Sequence, residues 1–202
     1  MKFLAWLVPP LAMLAACASP ERYDPLEAYE EVEATKVIDA PTASAASPEA
    51  TAAAARGEYL VELLGCGACH TDGALVGAPD LSKPLAGSDI GIAWTNPLEN
   101  ERPGIVYPAN ITPDPETGIG RWSDAQLAEA IRAGAGRHGT RRILVMPWQG
   151  YARLTEDDVA AIVTYLRSVE PVENRVPLPV PVGTKAKAPY VHFGVYRSRG
   201  LD

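Results

Sequence analysis

The sequence has few of the residues that ordinarily carry chemistry. Its 202 residues include three cysteines, three histidines and three methionines. It shows no Ser-His-Asp set, phosphate-binding loop or pair of catalytic carboxylates. The sequence therefore does not indicate a common hydrolytic or phosphoryl-transfer enzyme. Its net charge of −7 argues against a nucleic-acid partner. The apolar run over residues 3–16 is shorter than the roughly 20 residues that span a bilayer, and prolines interrupt it.

Two of the three cysteines lie in the pentapeptide C-G-A-C-H at residues 66–70. C-x-x-C-H is the attachment signature of c-type haem, because each thiol can add to one vinyl group and the histidine then lies beside the iron. A thioredoxin-like pair would need a βαβ pattern, which is lacking. A zinc site would need four ligands, and the third cysteine, Cys17, is remote. We therefore predict one covalent haem c attached at Cys66 and Cys69, with His70 as an iron ligand.

Residues 1–16 predict an export signal. Lys2 precedes the apolar run, an order typical of a secretory signal peptide. The run ends in Leu-Ala-Ala before Cys17, which resembles the lipobox of bacterial lipoproteins, where this cysteine is lipidated. An ordinary cleavage site beside a stray cysteine is the alternative. The resemblance implies a periplasmic protein anchored to a membrane by lipidated Cys17, and export also suits the attachment of c-type haem.

Composition divides the rest of the chain into three parts. Residues 17–47 are acidic and rich in Ala, Pro, Ser and Thr, which predicts a flexible tether with an r.m.s. reach of roughly 30 Å. Residues 48–170 suffice for one domain with one core. Residues 171–202 form a Pro-rich C-terminal arm in which helix is disfavoured. The arm is either an extended segment packed on the domain, which its aromatic residues favour, or a tail that docks a partner.

Three helices are predicted within residues 48–170, and no alternating strand pattern competes with them. The first begins at Pro48 and ends before Gly65. The second follows Ser123, where a capping box is present, and the third follows Thr155, with acidic residues in its first turn. We therefore expect an all-α domain of three or more helices around one haem, with long Gly- and Pro-rich loops.

The order of helix, C-x-x-C-H, loops and final amphipathic helix resembles class I cytochromes c. The resemblance implies that fold, with the first and last helices crossing and Gly57 and Tyr165 in contact. In that family the iron takes a methionine from a loop before the last helix, often followed by proline. Met146-Pro147 occupies this position, which implies Met146 as the second axial ligand. His138, in a Gly- and Arg-rich stretch, is the competing candidate.

Residues 107–123 carry a more specific resemblance, in the segments YPANITPD and TGIGRWS. They look like part of the cytochrome c subunits that serve bacterial membrane-bound alcohol, gluconate and aldehyde dehydrogenases, and M-P-W at residues 146–148 continues the likeness. Those subunits typically carry three C-x-x-C-H motifs, whereas this chain carries one. The departure favours a single-haem carrier over a subunit that passes electrons along a row of haems.

Further residues are predicted around the haem. The segment at Pro79 resembles the G-P-x-L loop that, in cytochromes c, supplies the carbonyl bonded to the ring N–H of the axial histidine, although Ala78 is inserted here. Tyr107, Trp122 and Trp148 are candidates for lining the haem crevice, with ordinary core aromatics as the alternative.

The sequence thus predicts a membrane-tethered, single-haem electron-transfer protein, not itself an enzyme, that cycles between Fe(III) and Fe(II). Its expected partners are an exported dehydrogenase and an oxidase or other cytochrome. The alternatives are the haem subunit of a stable oxidoreductase complex and, in a different class, a haem-based ligand binder or peroxidase. Four arginines before the methionine are expected either to dock an acidic partner or to be simply solvated: Arg132, Arg137, Arg141 and Arg142.

Overall fold

A computed structural model of the chain describes residues 27, 29–30, 32, 39–42, 48–135 and 145–194. The predictions for the signal segment, for Cys17, for His138 and for three of the four arginines (Arg137, Arg141 and Arg142) lie outside these residues. So does most of the predicted tether.

Within the described ranges the chain forms five α-helices and a 3₁₀ turn. The helices are α1 (Pro48–Leu63), α2 (Cys66–His70), α3 (Asp124–Ala133), α4 (Trp148–Tyr151) and α5 (Glu156–Ser168), and the turn is Ala74–Val76. Among these residues no helix has the length and apolarity needed to cross a bilayer.

Side-chain caps explain where two of the helices begin. The hydroxyl of Ser123 accepts the N–H of Gln126, and the Gln126 side chain accepts the N–H of Ser123, which completes the predicted capping box. Thr155 caps α5 by accepting the N–H of Asp158. Because these bonds satisfy backbone donors that a helix leaves open, the predicted starts of both helices are confirmed.

Helices α1 and α5 cross at Gly57. A Cβ atom at this position would lie 2.1 Å from the carbonyl oxygen of Ala161 and 2.6 Å from Cβ of Tyr165. The predicted contact between Gly57 and Tyr165 is therefore confirmed, and only glycine allows the two backbones to come so close. The main core surrounds this crossing and buries Leu60, Val61, Leu85, Ile119, Leu127, Val159, Ile162, Val163, Tyr165, Leu166 and Val169.

The prediction of an all-α domain is wrong, because the loops contain a small mixed sheet. Strands β1 (Gly91–Ala93), β2 (Ile105–Val106) and β3 (Tyr190–His192) lie in the order β2-β1-β3. Strand β1 is antiparallel to β2 and parallel to β3.

The strands are too short to produce a sequence signal. An alternating pattern needs four or more residues to be recognised, and these strands have two or three. All three residues of β1 are buried, so even the usual alternation of polar and apolar residues is missing. In addition, β3 comes from the C-terminal arm, far along the chain from its partner.

The C-terminal arm supplies much of a second, smaller core. Val180 pairs with Ile105 through two backbone hydrogen bonds of 2.9 Å, which extends the sheet beyond β2. Ala93, Ile105 and Tyr107 are buried here, and the arm covers them with Val176, Val180, Ala186, Ala188 and Tyr190. Residues 171–194 are thus packed along the domain.

Parts of the predicted tether are also packed against the domain rather than free of it. The buried hydroxyl of Tyr165 donates to the carbonyl oxygen of Pro41 at 2.6 Å. The hydroxyls of Tyr29 and Tyr190 lie 2.8 Å apart, and the two rings meet edge to face.

Candidate haem-attachment site

The predicted attachment motif forms the whole of helix α2. Gly65, in the left-handed conformation with φ of 69°, separates α1 from α2, and Thr71 ends the helix. Both Cys66 and Cys69 are half-buried free thiols, and Cys66 packs against the main core. The motif is therefore fixed directly to the crossing of α1 and α5.

The electrostatics of the two thiols do not favour a thioredoxin-like pair. Burial raises the pKa of Cys66 to about 11, and burial also raises the pKa of Cys69. A redox-active C-x-x-C depends instead on a lowered thiol pKa, since the thiolate is the reactive form. Among the described residues, no group of three or more His, Cys, Asp or Glu side chains could hold a metal ion, so a zinc site is not supported there either.

The axial histidine candidate is held by its ring and by its backbone. The Nδ1–H of His70 donates to the carbonyl oxygen of Ala109 at 2.7 Å, and the N–H of Gly87 donates to the carbonyl oxygen of His70 at 2.8 Å. A carbonyl can only accept, so Nδ1 carries a proton, and in the neutral form of the imidazole the lone pair is then on Nε2. The donor set of two thiols and an imidazole with a basic Nε2 fits a covalently attached haem.

The carbonyl bonded to His70 is that of Ala109, so the expectation for Pro79 is wrong. The N–H of Ala78 donates to the carbonyl oxygen of Gly73 at 3.0 Å, which closes the chain on itself just before Pro79. The inserted Ala78 thus belongs to a local turn. Ala109 lies within the YPANITPD segment, so the motif used for the family resemblance also contained the residue that sequence reasoning missed.

Helix α4 is attached to the chain just before the haem motif through Tyr151, a contact that sequence reasoning also missed. Its hydroxyl donates to the carbonyl oxygen of Leu64 at 3.0 Å. Burial, with Cys66 and Cys69 nearby, raises the pKa of Tyr151 to about 12. The hydroxyl therefore remains a donor at any ordinary pH. A lone tyrosine in a four-residue helix gave no signal of this contact.

Met146 lies in the turn that leads into α4. It is half-buried, and its carbonyl oxygen accepts the N–H of Trp148 at 2.8 Å. Because Tyr151 fixes the same short helix to Leu64, the segment that contains Met146 is attached next to the haem motif. The assignment of Met146 as second axial ligand stays a prediction.

The three aromatic residues predicted near the haem occupy different places. The Trp148 ring lies over Gly134, where a Cβ atom would be 2.9 Å from Cδ1 of the indole. Trp122 packs against the main core. Tyr107 lies in the smaller core, with its hydroxyl 3.5 Å from the carbonyl oxygen of Ala188. Their role in lining a crevice stays a prediction.

A cavity of about 160 Å³ lies beside helix α2. It is lined by Gly67 and Ala68, the two residues between the cysteines, and by Thr71, Leu85 and residues 39–41.

Arg132, predicted for docking, forms an ion pair with Glu156 and donates to the carbonyl oxygen of Leu154 at 2.6 Å. It is thus engaged within the domain.

Comparison with known proteins agrees with this site. The family described as Cytochrome c matches residues 54–170. The alcohol dehydrogenase (quinone) cytochrome c subunit of Gluconobacter oxydans is 38% identical over 125 residues, which are 60% of this chain and 23% of the relative. The fructose dehydrogenase cytochrome subunit of Gluconobacter japonicus is 40% identical over 117 residues, 56% of this chain and 21% of the relative.

A third relative, the gluconate 2-dehydrogenase cytochrome c subunit of Pantoea cypripedii, is 34% identical over 118 residues, 58% of this chain and 23% of the relative. The predicted resemblance to cytochrome c subunits of such dehydrogenases is thereby confirmed. The chain spans less than a quarter of the length of these three curated relatives.

Proposed function

This chain belongs to the cytochrome c family, and we propose that it is a single-haem electron carrier tethered to a membrane outside the cytoplasm. The observation that carries the proposal is helix α2, which presents Cys66, Cys69 and His70 together, with the imidazole oriented by Ala109. A covalently bound haem supplies one-electron exchange between Fe(III) and Fe(II). The protein contributes attachment, axial ligands and shielding from water.

Each residue of the site has a distinct part in this proposal. The thiols of Cys66 and Cys69 would hold the haem by adding to its two vinyl groups. His70 would bind the iron through Nε2, while its Nδ1–H remains bonded to Ala109. Met146 would supply a thioether ligand, which would raise the reduction potential relative to a second histidine.

The names of the relatives support a dehydrogenase as the protein that donates electrons to this chain. They are cytochrome subunits of alcohol, fructose and gluconate dehydrogenases. This chain contains one C-x-x-C-H motif, so it would pass one electron at a time from an exported dehydrogenase to an oxidase or another cytochrome. The same names favour a second candidate, the haem subunit of a stable oxidoreductase complex.

The proposed location depends on the leader. Lys2, the apolar run and the lipobox-like segment before Cys17 support export and lipidation. Acyl chains contribute about 0.8 kcal/mol for each buried CH₂ group, and more than one chain gives stable anchoring. Replacement of Cys17 by serine is expected to release the protein from the membrane fraction.

A redox-titrated visible spectrum of the purified full-length protein tests the proposal. We expect one haem per chain and a single one-electron transition. A protein without covalent haem, or a reduced protein that readily binds carbon monoxide at neutral pH, would contradict it; the second result would favour the ligand binder. Stoichiometric co-purification with a catalytic subunit would select the stable complex over the free carrier.

A further inference from the structure

The position of the Ala109 carbonyl depends on the next residue, Asn110. The carbonyl that accepts from His70 belongs to the peptide group joining Ala109 to Asn110, so the plane of this peptide determines where the oxygen points. Asn110 is only 2% exposed. A buried amide side chain must have its hydrogen bonds satisfied, and those of Asn110 are unusually complete.

The oxygen of the Asn110 side chain fixes the turn that follows. Its Oδ1 accepts the backbone N–H of Thr112 at 2.9 Å and the hydroxyl of the same residue at 2.7 Å. The first of these bonds is an Asx turn, which restricts the backbone that follows the asparagine and holds the Asn110 side chain against it. Thr112 is itself 1% exposed, so the turn is enclosed.

The nitrogen of the same side chain connects the turn to the C-terminal arm. Nδ2 donates to the carbonyl oxygen of Val172 at 2.7 Å and to the hydroxyl of Thr117 at 3.0 Å. In return, the N–H of Val172 donates to the hydroxyl of Thr112 at 3.1 Å, and that of Asn174 to the hydroxyl of Thr117 at 2.9 Å. Residues 172–174 are therefore bonded to both ends of the 110–117 loop.

The opposite side of the peptide is restricted by Gly87. Its φ is +88°, and a Cβ atom there would lie 2.7 Å from the backbone nitrogen of Asn110 and 2.9 Å from the carbonyl carbon of Ala109. The N–H of Gly87 also donates to the carbonyl oxygen of His70. The peptide between Ala109 and Asn110 is thus enclosed between Gly87 and the network of Asn110.

We infer that Asn110 is a positioning residue for the axial histidine, and that the start of the C-terminal arm acts on the redox centre through it. The inference rests on the proposed function, in which His70 binds the iron. A hydrogen bond from Nδ1–H increases the electron donation of the imidazole. Stronger donation stabilises Fe(III) relative to Fe(II), so the intact network lowers the reduction potential.

The test uses the haem-loaded full chain with Asn110→Ala. Weakening the bond from His70 to Ala109 is expected to shift the potential upward. The expected shift corresponds to about a threefold to tenfold change in the Fe(III)/Fe(II) equilibrium, where tenfold is 59 mV for one electron. The Nδ1 proton of His70, followed by NMR in the reduced state, should exchange faster with solvent.

Asn96→Ala is the matched control. Oδ1 of Asn96 accepts the N–H of Leu98 at 3.0 Å, which is an Asx turn of the same kind in another loop, but no hydrogen bond links Asn96 to His70 or Ala109. The Asn96→Ala variant should leave the potential and the proton exchange at wild-type values. A folded Asn110→Ala protein with both wild-type values would overturn the inference.

A second variant tests the inference if Asn110→Ala does not fold. Thr112→Val keeps the shape of the side chain and removes its hydroxyl bonds to Asn110 and Val172, so it should shift the potential in the same direction by a smaller amount. A wild-type potential in this variant would again contradict the inference. Failure of the proposed function is distinguishable, because it would appear in the wild-type protein as a missing haem or an iron not bound by His70.

Discussion

The hydroxyl of Tyr151 donates a hydrogen bond to the carbonyl oxygen of Leu64 at 3.0 Å, across 87 residues of sequence. Leu64 is separated from Cys66, the first residue of α2, only by Gly65, and Tyr151 ends the short helix that follows Met146. This contact therefore attaches the segment that contains Met146 to the segment that contains His70, the two predicted iron ligands.

Tyr151→Phe should lower the free energy of unfolding by about 1 kcal/mol, because it removes one hydrogen bond and keeps the ring. Denaturant unfolding of the haem-loaded protein measures this change. Tyr59→Phe is the control, since the Tyr59 ring is 52% exposed and its contact with the Arg56 guanidinium does not use the hydroxyl. Equal stability of Tyr151→Phe and the wild type would show that the contact does not fix α4.

Met146→Ala should lower the reduction potential and allow the reduced protein to bind carbon monoxide, because the thioether ligand is lost. Potentiometry and visible spectra measure both effects. Gln149→Ala, an exposed position on α4, should change neither. If the spectrum and potential of Met146→Ala match the wild type, while His138→Ala alters them, the sixth ligand is His138.

Gly57→Ala should destabilise the domain by about 3 kcal/mol or more. The added methyl group would overlap the backbone oxygen of Ala161, and overpacking against backbone forces the helices apart. Gly150→Ala is the control, because a Cβ atom there would meet nothing within 4 Å. Denaturant unfolding should show wild-type stability or a slight gain for Gly150→Ala, and a Gly57→Ala protein of wild-type stability would refute the tight crossing.

Asp114 is expected to make stability depend on pH in the acid range. Hydrogen bonds from the backbone N–H and the hydroxyl of Thr117 hold the pKa of the Asp114 carboxyl below its usual value. The charged form is therefore favoured by folding. Its stabilisation is complete above the unfolded pKa of about 3.9 and is lost as the pH falls through the lower folded value.

Melting temperatures of the wild type and Asp114→Asn, measured across pH, check this expectation. The wild type should be more stable at pH 7, and the difference should shrink below about pH 4. Glu173→Gln, at an exposed position of the arm, should show no such trend. A difference between wild type and Asp114→Asn that stays constant down to pH 2 would rule out the charge as its cause.

Tyr165→Phe should release residues 39–42 from the domain, because its hydroxyl donates to the carbonyl oxygen of Pro41 at 2.6 Å. The loss of this buried bond costs about 1 kcal/mol. Amide hydrogen exchange should become faster at Ala40, whose N–H donates to Glu62 at 3.1 Å. Tyr29→Phe is the control: it removes the hydrogen bond with Tyr190 and should leave the amide exchange of Ala40 unchanged. If the exchange of Ala40 is also unchanged in Tyr165→Phe, the attachment of residues 39–42 by Tyr165 is contradicted.

The predictions for the haem site depend on signals that are local in sequence. The spacing of Cys66, Cys69 and His70 is a requirement of the haem itself, and it is contained in five residues. The helix starts at Ser123 and Thr155 depend on caps that reach only three residues along the chain. The meeting of Gly57 with Tyr165 followed from the family resemblance, and the structure confirmed it.

The errors concern contacts between distant segments. The resemblance of the Pro79 segment to the G-P-x-L loop implies Pro79 as the partner of His70, whereas the carbonyl that accepts from His70 belongs to Ala109, 39 residues away. The sheet was missed because its strands have two or three residues and one of them comes from the arm. The contacts of Tyr29 and Pro41 with the domain had no sequence signal either, because the stretch that contains them has only the composition of a flexible chain. The tether over residues 17–47 stays a prediction.

By itself, then, the sequence determined the local features of this protein: a haem-attachment motif, a candidate axial ligand within it and the helices that begin at local caps. Only the tertiary structure decided which carbonyl accepts from His70, which segments cover the domain and how the arm is bonded to the 110–117 loop. The physical reason is that thiol spacing and helix caps are satisfied by residues a few positions apart. A buried carbonyl or amide takes whichever partner the folded chain brings to it.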